Sequence, residues 1–469
     1  METTHDFTGM TDAGGNLPVA VIGAGPVGLA AAAHLTEQNR PFVVLEAGPE
    51  VAMSFADVSH VRLFSPWKFN VDGAAGRLLG AKGWSMPEPE GLPTAGEVRR
   101  KYLVPLADLF GERVRFNQRV KSISRLGFDK VKTNGRQAAP FVLDIVSADG
   151  PRQILASAVI DASGTWGTPN PLGSNGLPAP GELELKDRIE FGMPDVLGSQ
   201  RSRYAGKRVL VVGAGHSALG TLLSLARLSD EYPDTSIIWA TRGASARRLF
   251  GGGDKDGLAE RGKLGSNLRA LVDAGRFELH AEFFIQAIVT ERGRIVVHGR
   301  SPSGEVSSIR DIDRIVAATG SRPELSMTRE LRLRTDPMLE STETLAPLID
   351  PNVHSCGSVP PHGHRELSHP ETGFYSVGAK SYGRAPNFLL ATGYEQVRSV
   401  VAALAGDLEA ADDVQLVLPE TGVCSSDPSE GDGQIASTAG CCAPKPKASS
   451  GGGCCPAPKA GVRSGGGCC

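Results

Sequence analysis

The sequence has no long apolar run, almost no net charge and few cysteines outside its C-terminal end. Its 469 residues carry a formal net charge of −3, which indicates neither a nucleic-acid surface nor a basic membrane-binding surface. No apolar stretch approaches the ~18 residues that span a bilayer. The segment from Met1 to Asn16 is polar and lacks the apolar core of a signal peptide. These absences predict a soluble cytoplasmic protein with no nucleic-acid or membrane partner.

Cysteine is scarce before residue 419, and this excludes one kind of redox chemistry. Only Cys356 lies in that region, and the next cysteine is Cys424. Disulfide reductases need two thiols close in sequence, spaced as CxxC or similarly, beside the redox cofactor. Neither cysteine has such a neighbour, so we expect no internal dithiol relay.

Two glycine-rich segments of the same spacing follow the apolar runs at 19–22 and 209–212. In this pattern the first glycine permits a sharp turn and the second lets backbone amides approach a pyrophosphate. The third position must be small so that helix and strand can pack. The helix that follows presents unpaired N–H groups to the phosphates. Two dinucleotide sites are therefore predicted, one at Gly23, Gly25, Pro26 and Gly28, the other at Gly213, Gly215, His216 and Ser217.

The end of the next strand distinguishes the two sites. After the first glycine-rich segment, the run 41–45 ends at Glu46, where a carboxylate binds a ribose hydroxyl. After the second, the run 237–241 ends at Arg242, with Arg247 and Arg248 just beyond. A guanidinium binds a 2′-phosphate that a carboxylate would repel. The first site therefore suits FAD and the second NADPH. The alternative for Arg242 is a solvated turn residue.

Apolar strands alternate with helical patterns from Leu17 to about Phe110 and again from Val209 onward, which indicates parallel α/β layers. Between them, the runs 114–116 and 141–146 are predicted strands of a small antiparallel layer. The segments 159–164 and 315–320 each predict a buried strand that ends in a glycine turn.

The predicted fold class is α/β, with two Rossmann-like domains and the NADP domain inserted in the FAD domain. We expect the FAD domain at 17–200 and 312–418 and the NADP domain at 201–311. Residues 1–16 are a predicted flexible N-terminus. Residues 419–469, rich in Ser, Gly, Pro and Lys, are a predicted disordered Cys-rich tail.

Further segments resemble known flavoproteins. Together with both glycine-rich segments, Ala318-Thr319-Gly320 and the run GFYSVG at 373–378 are similar to the two-dinucleotide-domain flavoproteins. Within them the runs RLFSP at 62–66 and PTAGEV at 93–98 resemble flavin-containing monooxygenases and their bacterial relatives. The runs KSYGRAPNFL at 380–389 and GYEQ at 393–396 resemble flavoproteins of bacterial arsenic-resistance operons. The resemblance implies an FAD- and NADPH-dependent, monooxygenase-like enzyme with Gly378 at the FAD.

The sequence departs from that family in two places. Flavin monooxygenases carry FxGxxxHxxx(Y/F) shortly before the second glycine-rich segment, but here the run FGMPDVLGSQ at 191–200 has no histidine. Where many members have an asparagine near the flavin, the nearest match is Ser65. Arg384 and Asn387, just ahead of a helix predicted at 388–405, are candidate catalytic donors. The alternatives are a structural role for Arg384 and a helix N-cap for Asn387.

Two groups of soft or borderline metal ligands stand out. His354, Cys356, His362, His364 and His369 share one loop-like stretch, but their spacing fits no compact zinc pattern and favours a loop that packs over the site. The tail carries three pairs of adjacent cysteines, which suit thiophilic ions such as As(III): Cys441 and Cys442, Cys454 and Cys455, Cys468 and Cys469.

These observations support three hypotheses. The first is an FAD- and NADPH-dependent oxidoreductase, monooxygenase-like, that acts on a small thiophilic or arsenic-containing substrate. The second is a metalloid-binding or delivery protein on a flavoprotein scaffold. The third is a flavin reductase that passes electrons to a partner protein.

Overall fold

The computed structural model describes residues 16–244, 259–354 and 359–416. The expected tail at 419–469 and nearly all of the expected N-terminal segment 1–16 lie outside these ranges. Within them the chain forms sixteen strands. They are β1 Val19–Ile22, β2 Phe42–Leu45, β3 Val114–Arg115, β4 Arg119–Arg125, β5 Phe141–Ser147, β6 Gly150–Ala156, β7 Ala158–Asp161, β8 Ile189–Phe191, β9 Arg208–Val212, β10 Ser236–Ala240, β11 Glu278–His280, β12 Phe284–Glu291, β13 Arg294–Arg300, β14 Val306–Ile312, β15 Arg314–Ala317 and β16 Phe374–Ser376.

The same ranges contain twelve α-helices, most of them short. They are α1 Pro26–Glu37, α2 Met53–Asp57, α3 Trp67–Asn70, α4 Gly73–Gly80, α5 Ala95–Val98, α6 Val104–Phe110, α7 Arg201–Tyr204, α8 His216–Glu231, α9 Ala259–Asp273, α10 Ala346–Ile349, α11 Leu390–Ala405 and α12 Leu408–Asp412. None of the helices in the described part of the chain is long and apolar enough to cross a lipid bilayer.

Two parallel five-stranded sheets form the centre of the fold. The first has the order β16-β7-β1-β2-β3 and the second the order β11-β10-β9-β15-β8. Every neighbouring pair within these two sheets is parallel. The strands of the second sheet lie in sequence between β7 and β16 of the first. This confirms the predicted class, two Rossmann-like units with one inserted in the other.

Each parallel sheet is covered by helices on one face and by a small antiparallel sheet on the other. Alternate residues of β1 divide between the faces: Val19 and Val21 pack with α1 and α11, whereas Ala20 and Ile22 pack against the sheet β4-β5-β6. In the second sheet one face packs against α8 and α9 and the other against β12-β13-β14. Strands buried on both faces explain the continuous apolar runs that predicted them.

Two details of the predicted layout differ in the structure. The pair Val114–Arg115 joins the first parallel sheet beside β2, and does not belong to the antiparallel layer. β8 and β15 belong to the second sheet, so its strands extend from residue 189 to 317, beyond the expected 201–311. The reason is that β15 pairs with β9 and β8 pairs with β15, and no local sequence pattern records these pairings. Strand β5, which was predicted to belong to an antiparallel layer, does so and is the central strand of the sheet β4-β5-β6.

A buried charge network joins the first antiparallel sheet to the segment that precedes β16. The carboxylate of Glu371 accepts hydrogen bonds from Arg125 Nε at 2.8 Å and from Arg136 Nη1 at 2.6 and 2.8 Å, and all three side chains are almost fully buried. Burial alone would raise the pKa of Glu371, but the bonds from the Arg332 amide and the two guanidinium groups hold the pKa below its ordinary value. The network fixes how residues 119–161 meet residues 371–376.

Candidate functional site

The first glycine-rich turn, between β1 and α1, has an open cradle at its centre. Gly23 has φ +98°, and a Cβ there would lie 2.8 Å from the Ala162 carbonyl oxygen. A Cβ on Gly28 would lie 2.0 Å from the Gly23 oxygen, so both positions require glycine for the fold. Gly25 differs, because its φ of −81° suits any residue and no atom lies within 4 Å of a Cβ built on it. No part of the chain fills the space beside Gly25, and a pyrophosphate fits there.

Backbone and side-chain groups around this cradle also fit a dinucleotide. Gly25 caps α1 without a side-chain hydrogen bond, and Pro26 occupies the first turn. Glu46 follows β2 and accepts hydrogen bonds from the amides of Ala24 and Gly48, both at 2.8 Å. Each carboxylate oxygen keeps a second lone pair for a ribose hydroxyl. Glu46 therefore also orders the turn that approaches the phosphates, a role that the sequence alone does not show.

The N-terminus of α11 borders a cavity of about 260 Å³, which we call the first cavity. It is lined by Phe55, Leu63, Phe64, Ser65, Asn70, His216, Pro386, Asn387, Phe388, Leu389 and Leu390. The N-cap of α11 is Leu389 and no side chain caps the helix, so the proposed N-cap role of Asn387 is wrong. The helix begins two residues after the predicted start, because Leu389 has extended backbone and serves as the N-cap.

Asn387 is the most unusual polar group of the first cavity. Its side chain is buried, Nδ2 donates a long 3.4 Å hydrogen bond to the Ile349 carbonyl, and Oδ1 has no hydrogen-bond partner. A buried acceptor left unpaired costs about 1–3 kcal/mol. A ligand that offers an N–H group in this cavity would remove that cost.

Arg384 forms an ion pair away from the first cavity. Its guanidinium forms a two-pronged ion pair with Glu340, with contacts of 2.9 and 3.0 Å, and it does not line the first cavity. This favours the structural alternative for Arg384.

Gly378 lies against α1, with φ +69° and Val27 at 3.2 Å from a Cβ built on it. Its amide donates to the buried Gln396 at 2.7 Å, so Gly378 fixes the approach of α11 to the first cradle.

The second glycine-rich turn, between β9 and α8, repeats the same geometry. Gly213 has φ +130°, and a Cβ there would lie 2.2 Å from the Ala318 oxygen. Its carbonyl accepts a 2.8 Å hydrogen bond from Trp239 Nε1, which locks the turn onto β10. Gly215 has φ −86° and open space around a Cβ, as at Gly25. The residues at this turn therefore also fit a pyrophosphate.

Arg242 lies just past the end of β10, and its side chain is exposed. Among the described residues no carboxylate forms an ion pair with it, so the guanidinium is available to an anion. Arg247 and Arg248 lie outside the described residues. A free cation at the end of the strand after the glycine-rich turn fits the 2′-phosphate of NADPH.

The first turn of α8 separates the first cavity from a second one of about 370 Å³. His216 lines the first cavity, with its ring 5.3 Å from that of Phe64, and Ser217 lines the second. The second cavity is lined by Asp57, Val58, Trp166, Pro169, Glu190, Phe191, Gly192, Met193, Pro194, Gln200, Ser217, Ala318, Gly320 and Ser321. The lining therefore includes residues 191–194, the start of the run 191–200 that lacks the family histidine. Leu197, within the same run, packs against the apolar core beside α8.

The predicted histidine-rich stretch forms no metal site within the described residues. His362 is buried, with Nδ1 3.0 Å from the Pro360 carbonyl and Nε2 2.9 Å from the Gln396 amide. The carbonyl accepts only, so Nδ1 carries the proton and Nε2 accepts. Burial lowers the pKa of His362 and lowers that of His369 to about 4. His364 pairs with Asp412 instead. Cys356 and the six tail cysteines lie outside the described residues.

Several residues at the site were not expected from the sequence. Asn70, five residues after Ser65, lines the first cavity while its Nδ2 donates to the carbonyls of Ser65 and Pro66. Behind the first cradle, Lys380 and Asp161 form a fully buried ion pair at 2.7 Å. Of these residues only Asp161, at the end of the apolar run of β7, carried a signal in the sequence.

Two dinucleotide cradles at the carboxyl edges of two parallel sheets, with cavities on either side of α8, define a flavoprotein fold that binds two nucleotides. A sequence model of the pyridine nucleotide-disulphide oxidoreductase family matches residues 20–356, more than half of the chain, and the chain belongs to that family. This confirms the predicted class of flavin-dependent oxidoreductase and the predicted cofactors, FAD and NADPH. All eight cysteines of the chain lie outside the described residues.

Curated relatives and solved structures agree with this class. The chain is 32% identical over 220 residues to the probable indole-3-pyruvate monooxygenase YUCCA7 of Arabidopsis thaliana and 30% identical over 242 residues to YUCCA8. These matches cover 45% and 48% of the chain and 44% and 48% of the two relatives, so the chain spans less than half the length of either.

Two solved structures share the fold. The bacillithiol disulfide reductase of Bacillus cereus matches 83% of this chain and 98% of its own, with a TM-score of 0.62 and 18% identity. The cadaverine monooxygenase DfoA of Erwinia amylovora, solved with FAD, matches 88% and 99%, with a TM-score of 0.59 and 14% identity. At these identities the likeness shows the fold alone.

Proposed function

We propose that this protein is an NADPH-dependent flavin monooxygenase-like enzyme that acts on a small thiophilic or arsenic-containing substrate. The observation that carries the proposal is the first turn of α8, which contacts both cavities. One residue of the turn, His216, faces the cavity beside α11, and the next, Ser217, faces the cavity beside β15. A nucleotide bound at this turn would lie next to a flavin in the first cavity.

The residues around the first cavity suit oxygen-dependent chemistry. When bound, FAD takes a hydride from NADPH and delivers the electrons to an acceptor. Most of the lining is apolar, including Phe55, Leu63 and Phe388, so the walls offer water few hydrogen-bonding partners. The uncapped N-terminus of α11 stabilises negative charge in the cavity. Asn387 Oδ1 orients a ligand that donates an N–H group.

The sequence supports an acceptor other than an internal disulfide, because neither Cys356 nor Cys424 has a second cysteine close in sequence. Oxygen, or a substrate that reacts with oxygen at the flavin, is then the acceptor. The arsenic-containing substrate is supported by the resemblance at 380–389 and 393–396 and by the paired cysteines of the tail. The paired cysteines are ligands that soft, thiophilic ions prefer.

Substrate-dependent NADPH consumption tests the proposal. We expect trivalent organic arsenicals or thioethers to raise NADPH oxidation and to be recovered with one added oxygen, while little hydrogen peroxide is released. A flavin reductase would instead depend on an added acceptor protein. NADPH oxidation that no small substrate stimulates, with all electrons recovered as peroxide, would contradict the proposal.

The cysteine pairs favour a second candidate function, binding of As(III) by residues 441–469. Three thiolates from two pairs match the preference of a soft metalloid for sulfur. A variant that ends at Gly422 should keep its FAD content and basal NADPH oxidation but lose high-affinity arsenite binding in equilibrium dialysis. Equal arsenite binding by both forms would refute this role.

A further inference from the structure

A third cavity, of about 200 Å³, lies beside the last residues that the structure describes. It is bounded by α3, the start of α4 and the first turns of α11, and Gln415 and Leu416 form part of its wall. Neither glycine-rich turn is among the described residues that line it, so this cavity is separate from both nucleotide cradles. The chain therefore continues into residues 417–469 from the edge of the third cavity.

The segment that ends the described chain is fixed to α11. Arg398 pairs with the buried Glu395 at 2.6 Å and donates hydrogen bonds to the carbonyls of Ala410 and Asp413. The amide of Gln415 donates to the same carboxylate at 3.3 Å. Breaking a buried ion pair by removing one partner is costly, so these bonds hold the segment on the helix. The residues that follow it start from a fixed point at the cavity.

Only a thin wall divides the third cavity from the first. Leu390 lines the first cavity, whereas Ala391 and Tyr394 line the third. The Tyr394 hydroxyl donates a 2.9 Å hydrogen bond to the carbonyl of Asn70, a residue that lines the first cavity. Residues four apart in a helix are separated by about 6 Å along its axis. A ligand in the third cavity would therefore lie about one side chain away from the first cavity.

The exposed charges in the lining of the third cavity are positive. The side chains of Lys68 and Arg77 are 42% and 65% exposed, whereas the two acids of the lining, Asp72 and Glu395, are buried. Both cations pair with glutamates outside the lining, and exposed ion pairs of this kind contribute only about 0–1 kcal/mol. An arriving anion can therefore compete for them. Nearby cations also lower the pKa of a thiol and favour the thiolate that binds a soft metalloid.

The first cysteine pair of the tail is long enough a tether away to return to this cavity. Cys441 lies about 25 residues beyond Leu416, a length that spans about 37 Å as a helix and up to roughly 80–90 Å when extended. The effective concentration of a tethered group falls roughly as the −3/2 power of the tether length. Cys441 and Cys442 should therefore reach the cavity about twofold to threefold more often than the pairs at 454–455 and 468–469.

We propose that Cys441 and Cys442 dock in the third cavity and hold a soft metalloid there, beside the first cavity. The occupant is this segment of the same chain, because the tail starts at the edge of the cavity and is long enough to return to it. Its thiolates also carry the charge opposite to that of Lys68 and Arg77. The inference rests on the proposed arsenic-containing substrate and adds the place at which the chain presents it.

Disulfide trapping in the full-length chain tests the docking without relying on activity. Gly73→Cys places a thiol in the lining, where a Cβ meets only the end of the Arg77 side chain at 3.4 Å. Gly80→Cys, at the other end of α4 with open space around it, is the matched control. Under mild oxidation without arsenite, position 73 should form a disulfide with Cys441 or Cys442 about tenfold faster than position 80 does, as measured by mass spectrometry of unreduced digests.

Two sets of variants separate docking from chance encounters. Exchange with a small neutral disulfide, in chains that end at Gly422, corrects for the intrinsic reactivity of each introduced thiol. Cys441→Ser with Cys442→Ser should slow trapping at position 73 about twofold or more, although the other tail cysteines remain. Lys68→Gln with Arg77→Gln should slow it about threefold.

Equal corrected rates at positions 73 and 80 would overturn the inference, as would a rate at position 73 that ignores the loss of Cys441 and Cys442. Failure of the proposed function gives a different result. Fast trapping at position 73, in a protein whose NADPH oxidation no arsenical stimulates, would support the docking and refute the proposed substrate.

Discussion

Replacing Gly25 with alanine should separate folding from flavin binding. The added Cβ meets no atom within 4 Å, and the φ of −81° is allowed for alanine. Lower entropy of the unfolded chain stabilises the variant by about 0.4–1 kcal/mol. Alanine is a poorer N-cap than glycine by a similar amount. The two effects offset, so we expect the free energy of unfolding of the flavin-free protein to change by less than about 0.5 kcal/mol.

Flavin affinity should respond very differently. The Cβ fills the space into which a pyrophosphate must come to reach the amides of the turn. Loss of two charge-assisted hydrogen bonds, each worth about 1.5–3 kcal/mol, corresponds to roughly a hundredfold or greater loss of FAD affinity. The assay is the ratio of flavin to protein absorbance after purification, followed by FAD titration of the stripped protein.

Two other glycines serve as controls for this prediction. Gly80→Ala, at the exposed end of α4 with open space around it, should leave FAD binding unchanged. Gly215→Ala should weaken NADPH and spare FAD, because the same geometry occurs at the second turn. Full FAD occupancy in Gly25→Ala would refute the assignment of this cradle to a pyrophosphate.

Three further predictions follow from charges in the structure. Arg242→Ala should weaken NADPH about tenfold or more and spare NADH, measured as Kd by calorimetry; equal losses would make the residue structural. Glu371→Gln leaves the buried Arg125 and Arg136 without a counter-charge and should lower the free energy of unfolding by about 3–5 kcal/mol in urea. Burial lowers the pKa of His369 to about 4, so between that pH and 6.5 the unfolded chain binds a proton that the folded chain does not. His369 therefore does not lower the free energy of unfolding above pH 6.5. As the pH falls from 6.5 to 4, that free energy decreases by about 1–3 kcal/mol. His369→Gln should reduce that slope, and an unchanged slope would contradict the argument.

The sequence alone predicted the features that depend on local geometry. The two glycine-rich turns combine a required φ, a small residue for helix packing and an empty cradle within six residues, so their pattern predicts structure and ligand together. Glu46 and Arg242 follow because strand length places the end of β2 and of β10 beside the turns. The apolar runs that predicted β1 and β9 reflect burial on both faces of a parallel sheet.

Features set by contacts between distant segments could not be predicted in this way. Val114 and Ile315 have strand-like neighbours, but only the assembled sheets decide which strand each one joins. The Trp166–Asp57 contact spans 109 residues and leaves no periodic signal. Asn387 was identified by its place before a helix, and its unpaired buried oxygen became visible only with Ile349 and the cavity walls around it.

The late arrival of β16 and Glu371 has a consequence for how the chain is synthesised. The strands β1, β2 and β7 leave the ribosome early, but the edge strand that completes their sheet follows about 200 residues later. Until Glu371 appears, the guanidinium groups of Arg125 and Arg136 have no counter-ion and cannot be buried. The inserted unit at 189–317 contains all strands of its own sheet and can mature first. A nascent chain halted before residue 371 should therefore resist protease across the inserted unit while its flavin half stays sensitive.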